Sequence, residues 1–237
     1  MRIDKYISSC GVATRREAAA AAKRGLVCVN GKIVRDLSAH IDPDVDEVSY
    51  EGSILVYRKY TYIMMNKPAG VVSSTDEPGD RTVMDLLDPE LKRIGAFPCG
   101  RLDRDTTGLL LITNDGETAH RLLSPKKHAE KRYRFTVDLP LPRDAEERFL
   151  AGIVIDHDEL CRPAKLECDP DRLGGTLILT EGKFHQVKRM IAALGSTVTS
   201  LCRLNFGPLS LDDTLEAGEW RLLREDEIAL LPRPTNE

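Results

Sequence analysis

The stretch GRLDRDTTGLLLITNDG, residues 100–116, decides how the rest of the chain is read. Its apolar part, LLLIT (109–113), is short and bounded by turn residues on both sides, which predicts a central strand. Asp105-Thr106-Thr107-Gly108 before it reads as loop, and Asn114-Asp115-Gly116 after it as a turn. Residues 101–105 therefore form a loop fastened to one end of a rigid strand, where scaffolds commonly present reactive side chains. Arg101 and Arg104 stand beside Asp103 and Asp105, and a nearby cation keeps a carboxylate ionised. An ionised carboxylate serves as nucleophile, base or metal ligand. The plainer alternative is that these charges cap the turn and pair with one another. Spacing alone does not separate Asp103 from Asp105.

Around this strand the chain alternates short apolar stretches with shorter helical ones. TYIMMN, RYRFTVDL, IVI, AKLEC, TLILTE and TVTSLCRL read as further strands. Helical pieces are predicted near Thr82–Leu87, Glu117–Leu123, Asp144–Ala151, His185–Leu194 and Glu225–Leu231. Strands outnumber helices and do not alternate with them strictly. That pattern predicts an α+β domain with a mixed or antiparallel sheet rather than a doubly wound one.

Upstream, residues 1–57 read as a separate module. Thr14-Arg15-Arg16-Glu17 is a capping box opening a helix through Ala18–Arg24, and Gly25 follows as a C-cap glycine. VCVNGKIV then alternates about Asn30-Gly31, a strong hairpin signal. Helix, turn, helix and hairpin set Arg15, Arg16, Lys23 and Arg24 along one helix. Residues 53–60, SILVYRKY, read as a joining segment before a second domain over 61–237. The net charge of −4 hides a split: residues 1–35 carry +6 and the other 202 residues carry −10. A basic head on an acidic body suggests a local polyanion-binding surface.

The bulk composition, 41% hydrophobic and 30% charged, is that of a globular protein. MRIDKYISSCG has no apolar signal-peptide core, no apolar run is long enough to span a membrane, and a cytoplasmic location is the expectation. Six scattered cysteines and five histidines show no metal-ligand spacing, so neither a metal site nor a disulfide framework is expected.

Two further stretches carry chemistry. EGKFHQVKRMIAALG (181–195) spaces Val187, Met190, Ile191 and Leu194 as one buried stripe, with Lys188 and Arg189 projecting from its first turns. Those cations are either a solvated face or a charge supplied to a carboxylate or phosphate. In AEKRYRFTVDL (129–139), Arg132, Arg134 and Thr136 alternate with Tyr133, Phe135 and Val137 as on a half-buried strand. Tyr133 is either core or an aromatic that stacks on a base.

Taken together the motifs resemble a known family. RIDKYISSCGVATRREA with KRGLVCVNGKIV is similar to the S4-like RNA-binding domain. MNKPAGVVSST, GRLDRDTTGLLL, the K-x-Y strand and GKFHQVKRM, in that order, resemble the RsuA-like ribosomal RNA pseudouridine synthases over nearly the whole chain. The resemblance implies a small N-terminal S4-like domain followed by a catalytic domain with a mixed, mostly antiparallel sheet flanked by helices. It implies that Asp103 is the essential catalytic residue and leaves Asp105 a supporting role in the turn. Tyr133 is then expected to stack on the target uracil, and Lys188, where many relatives carry arginine, or its neighbour Arg189, to pair with the aspartate. Arg15, Arg16, Lys23, Arg24, Arg101, Arg104 and Arg189 are the expected RNA contacts.

The implied reaction breaks the N1–C1′ bond of a uridine and joins C1′ to C5, needing no cofactor. Asp103 would add to the base or act on the sugar. EGKFHQVKRM and a tail without a long basic extension resemble the small-subunit branch, so 16S rRNA, free or in a small-subunit assembly intermediate, is the expected partner of a monomer. Two rivals are a 23S rRNA synthase and a non-catalytic ribosome-assembly RNA-binding protein. A carboxylate-pair glycosidase fits poorly, because aspartates one residue apart in one loop rarely flank a sugar ~5 Å or more apart.

Overall fold

The computed structural model describes residues 1–124, 129–156 and 158–232. They form two units, Met1–Thr61 with Leu87–Phe97, and Tyr62–Leu86 with Pro98 onward.

In the first unit, α1 (Ile3–Ser9) and α2 (Arg15–Lys23) precede a four-stranded antiparallel sheet. Its strands are β1 (Val27–Val29), β2 (Lys32–Ile33), β3 (Val48–Tyr50) and β4 (Ser53–Ile54), in the order β2-β1-β3-β4. Both halves of the capping box form: the Glu17 N–H donates to Thr14 Oγ1 at 3.2 Å, and the Thr14 N–H to Glu17 Oε2 at 2.7 Å. The alanine run gives α2 a narrow inner face, on which Ala18, Ala21 and Ala22 are buried against Ile3, Ile7, Val27 and Val48. Its outer face exposes Arg15, Arg16 and Lys23, and Arg24 pairs with Glu51 at 3.2 Å. Asn30 and Gly31 both take positive φ, which the two-residue hairpin turn requires. A helix that sequence patterning does not mark, α3 (Pro89–Arg93), completes the unit. A side chain at Gly11, whose φ is +78°, would put its Cβ 2.3 Å from the Glu90 carbonyl oxygen of α3. The segment read as a joiner contributes strand β4 before it leaves the sheet, because Ser53 and Ile54 pair with Tyr50 and Ser49.

The second unit is built on a nine-stranded sheet. Its strands are β5 (Tyr62–Lys67), β6 (Phe97–Pro98), β7 (Thr107–Thr113), β8 (Lys131–Val137), β11 (Lys165–Cys168), β12 (Gly174–Leu179), β13 (Val198–Phe206), β14 (Leu209–Ser210) and β15 (Trp220–Leu222). A separate two-stranded hairpin joins β9 (Val154–Ile155) to β10 (Glu159–Leu160). The main path runs β11-β12-β8-β13-β7-β5-β15, with β13 and β7 parallel and the other neighbours antiparallel. Helices α4 (Gly116–Leu123), α5 (Ala145–Ala151), α6 (Gln186–Ala192) and α7 (Glu225–Leu230) accompany it, and the Thr82–Leu87 stretch is a 3-10 turn over Val83–Leu86. The α+β architecture with a mixed, mostly antiparallel sheet is the one the sequence predicts.

Strand β7 begins at Thr107, two residues earlier than its apolar run, and Leu109 to Thr113 are buried. The Asn114-Asp115-Gly116 turn is also a helix start. Asp115 accepts the N–H groups of Glu117 and Thr118 at 3.1 Å each, and the Tyr62 hydroxyl at 2.6 Å. One cross-strand row then positions the site: Lys67 of β5, Gly108 of β7, Arg203 of β13 and Tyr133 of β8 are successive partners. Gly108 lies in this row at φ +96°, and a Cβ there would meet the Arg203 carbonyl oxygen at 2.4 Å. Only glycine allows β13 so close.

Candidate active site

The loop carrying Asp103 is gripped from below. Lys67, wholly buried, donates from Nζ to the carbonyl oxygens of Pro68 (3.1 Å), Asp103 (3.0 Å), Arg104 (3.3 Å) and Thr106 (2.8 Å). Burial pushes its ammonium down to about 8, against the opposing pull of the Asp105 and Asp103 charges. Ser73 Oγ both accepts the Leu102 N–H (3.1 Å) and donates to the Leu102 carbonyl (3.0 Å). The Gly70 N–H donates to the Arg104 carbonyl at 2.7 Å. The MNKPAGVVSS segment is thus a clamp on the backbone of GRLDRDT.

From the open side the loop meets α6. Lys188 Nζ lies 3.1 Å from Asp103 Oδ2 and 2.6 Å from Asp105 Oδ1, shared by the two carboxylates. Burial lowers the Lys188 pKa, but hydrogen bonds to Asp105 and Asp103 outweigh it and leave the value raised. The same hydrogen bond from Lys188 lowers the Asp105 carboxyl. His185, in the left-handed region at φ 47°, caps the start of α6 with Nε2 3.5 Å from Asp103 Oδ1. Its ring stacks on the exposed Phe184, centroids 3.8 Å apart. Gln186 fixes the entry to α6: its amide donates to Glu181 Oε1 (2.5 Å) and its oxygen accepts the Lys183 N–H (2.9 Å).

These groups face a cavity of about 350 Å³, lined among others by Asp103, Thr106, Lys131, Tyr133, Lys188 and Arg203. That volume lies within the range of small-ligand pockets, roughly 300–1,000 Å³. Tyr133 is 9% exposed and stands on the inward face of β8 between Lys131 and Phe135. The structure brings Asp103, Tyr133 and Lys188 to one cavity, although 85 positions separate Asp103 from Lys188 in sequence.

The two arginines of the loop part company. Arg104 pairs with Asp80 at 2.9 Å and donates from Nε to the Gly70 carbonyl, and Arg101 lines the cavity. The cation beside Asp103 and Asp105 is Lys188, because α6 packs over the loop while Arg104 turns back to the clamp. Arg189 points away from both aspartates, to Asp156 (2.6 Å) and Glu159 (2.7 Å) of the β9–β10 hairpin. Arg15, Arg16, Lys23 and Arg24 belong to the first unit.

Sequence patterning passes over three residues of the site: Lys67, His185 in its contact with Asp103, and Arg203. A signal exists for two of them. Lys67 ends the apolar run YIMMNK and Arg203 interrupts SLCRLNF, and a charged residue inside a buried strand requires a partner. Among the described residues no group of three or more His, Cys, Asp or Glu could hold a metal ion, and no helix is long and apolar enough to cross a membrane.

Comparison with known proteins bears on the same elements. Residues 61–193 match the family model described as RNA pseudouridylate synthase, and residues 1–46 match the S4 domain. The chain is 45% identical to "Uncharacterized RNA pseudouridine synthase YtzG" of Bacillus subtilis (strain 168), covering 99% of both. It is 41% identical to "Ribosomal small subunit pseudouridine synthase A" of Escherichia coli (strain K12), covering 97% of this chain and 99% of that one. A solved structure described as a pseudouridylate synthase superposes with TM-score 0.69 at 39% identity, over 98% of this chain and 100% of the other.

Proposed function

The chain belongs to the RNA pseudouridylate synthase family and carries an S4 domain at its N-terminus, and from there we propose that it converts one uridine of 16S rRNA to pseudouridine, with Asp103 as the essential carboxylate. The observation that carries the catalytic assignment is Lys188 Nζ at 3.1 Å from Asp103, at the cavity that Tyr133 lines. The choice of 16S rRNA leans on the name of the Escherichia coli relative and on its 41% identity over almost the full length.

In this reading residues 1–57 hold RNA through shape and backbone phosphate, using Arg15, Arg16, Lys23 and Arg24, and residues 61–237 do the chemistry. Arg101, Arg104 and Arg189 add phosphate contacts near the cavity. The target uridine must leave its stack, at a cost of roughly a few kcal/mol, and enter beside Tyr133. Tyr133 offers a ring face to the uracil. Asp103, paired with Lys188, acts on the base or at C1′ and C2′ of the sugar while the N1–C1′ bond breaks. The ring turns, C5 joins C1′, the C5 proton leaves and N1 takes one up. The protein acts as a cytoplasmic monomer on free 16S rRNA or on an assembly intermediate.

The C5 hydrogen is lost in the product, so tritium release from RNA labelled at uridine C5 reads the reaction. Wild type should release one equivalent per RNA and Asp103→Asn none, with Asp105→Asn retaining activity within about tenfold of wild type. Activity that survives Asp103→Asn and disappears in Asp105→Asn would transfer the role to Asp105. A silent wild type that still binds the RNA would make the protein a binding factor.

A further inference from the structure

Behind Tyr133 the cavity is floored by two cations, neither of which makes an ion pair among the described residues. Lys131 gives its ammonium to the carbonyls of Ala129 (3.2 Å) and Glu181 (3.3 Å) and lies 5.8 Å from the Phe206 ring centroid. Arg203, 2% exposed, donates from Nε to the Leu109 carbonyl at 2.8 Å, and its guanidinium lies 4.6 Å from the same ring centroid. Its Nη2 is buried without a hydrogen-bond partner. Thr106 Oγ1, also lining the cavity, is buried and partnerless too. The carboxylate of Glu181 is engaged by the Gln186 amide and the Arg162 N–H.

A buried donor without an acceptor is destabilising, and more so when it is charged. Most such groups in native structures have a partner, and an orphan beside a cavity suggests that a ligand supplies it. Arg203 and Tyr133 are direct cross-strand partners, so their side chains share the sheet face under the cavity. A uracil stacked on Tyr133 would therefore bring its edge within reach of Arg203.

We propose that Arg203 binds a carbonyl oxygen of the flipped uracil and stabilises the charge that the ring acquires as the N1–C1′ bond breaks. This rests on the reading that the cavity takes a uridine. Heterolysis leaves the bonding pair on N1, from which it spreads to O2 and O4. A preorganised guanidinium in a dry site stabilises that charge without reorganising. The pair returns when C5 attacks C1′: the C5–H pair restores the ring, its proton leaves to solvent, and N1 is protonated. No oxidant or reductant enters. Lys131, which also lines the cavity, adds positive potential, and Thr106 Oγ1 offers a second polar contact to the same ring.

The test is a single-turnover cycle on the full-length protein, using RNA in which the uridine that wild type modifies is replaced by 2-thiouridine or 4-thiouridine. Sulfur is a poor acceptor, so one of the two substitutions should slow wild type. Arg203→Met keeps the packing on Phe206 and should slow the normal substrate about 100-fold. RNA affinity should change less than about threefold. The defining result is that the harmful thio-substitution slows Arg203→Met no further. If both thio penalties persist in full in the variant, Arg203 touches neither carbonyl and the proposal is overturned. Arg203→Lys, which keeps a cation but loses the fork, carries the same cycle should the methionine variant fail to fold. The wild-type arm on unmodified RNA reports the function itself: no pseudouridine there overturns that reading, and this inference with it.

Discussion

Two lysines serve the Asp103 loop, one from its underside and one from its open side, and they do so in opposite ways. Lys67 is wholly buried and holds four backbone carbonyls, with no carboxylate partner among the described residues. Lys188 has a quarter of its side chain exposed and is shared by two carboxylates, one of them, Asp105, 72% exposed. A cation satisfied by carbonyls fixes where the backbone runs. A cation shared by two carboxylates, one of them lining the cavity, can exchange partners when a polyanion arrives. The buried lysine holds backbone and the accessible one holds charge.

The largest way to break this contrast is Lys67→Met. It strands four carbonyls in a dry site, and we expect a loss of about 3 kcal/mol. In a domain of this size that is a fall in Tm of roughly 6–12 °C by calorimetry. Lys188→Ala should leave Tm within a few degrees and lower the single-turnover rate by about 30-fold, with Lys188→Arg restoring most of it. If both variants fail in the same way, the division of labour is wrong.

The pH dependence sharpens the contrast, because the two linkages have opposite signs. Burial holds the Lys67 ammonium at about 8 in the folded state, against 10.5 ordinarily. Between those values the unfolded chain binds the extra proton, so stability from this group rises with pH. The rise should be absent in Lys67→Met. The Lys188 value is raised, so its contribution is complete below 10.5 and is lost as pH climbs beyond it. Denaturant titrations across this alkaline range would show both.

Away from the loop the expected effects are smaller. Replacing Arg15, Arg16 and Lys23 by alanine should weaken RNA binding roughly tenfold. The logarithmic salt slope should flatten by up to about 0.7–0.9 for each phosphate no longer neutralised. Catalysis at saturating RNA should not change. Arg189→Ala breaks pairs with Asp156 and Glu159, both well exposed, and should leave the denaturation midpoint almost unchanged.

The parts of this molecule legible in sequence are those with a local period or a local motif. The capping box of α2, the Asn30-Gly31 hairpin and the buried strand 109–113 follow from short-range rules, and each is present. The grouping of Asp103 with Tyr133 and Lys188 comes from family resemblance, because no local rule joins residues 103, 133 and 188. Helix α3 escapes because five residues beginning at a proline carry too little periodicity. Lys67 and Arg203 escape for a different reason. Their meaning depends on one row across β5, β7, β13 and β8, and that register exists only once the sheet has formed. Arg104 adjoins both aspartates in sequence yet pairs with Asp80, and α6, far along the chain, brings Lys188 to them.

The measurement that bears most directly on the account is a map of pseudouridines after incubating wild type and Asp103→Asn with 16S and 23S transcripts, free and protein-bound. Wild type should make one new pseudouridine in 16S rRNA and none in 23S rRNA, and Asp103→Asn should make none anywhere despite unchanged RNA binding. A pseudouridine made by Asp103→Asn at the wild-type rate, or one found only in 23S rRNA, would contradict it.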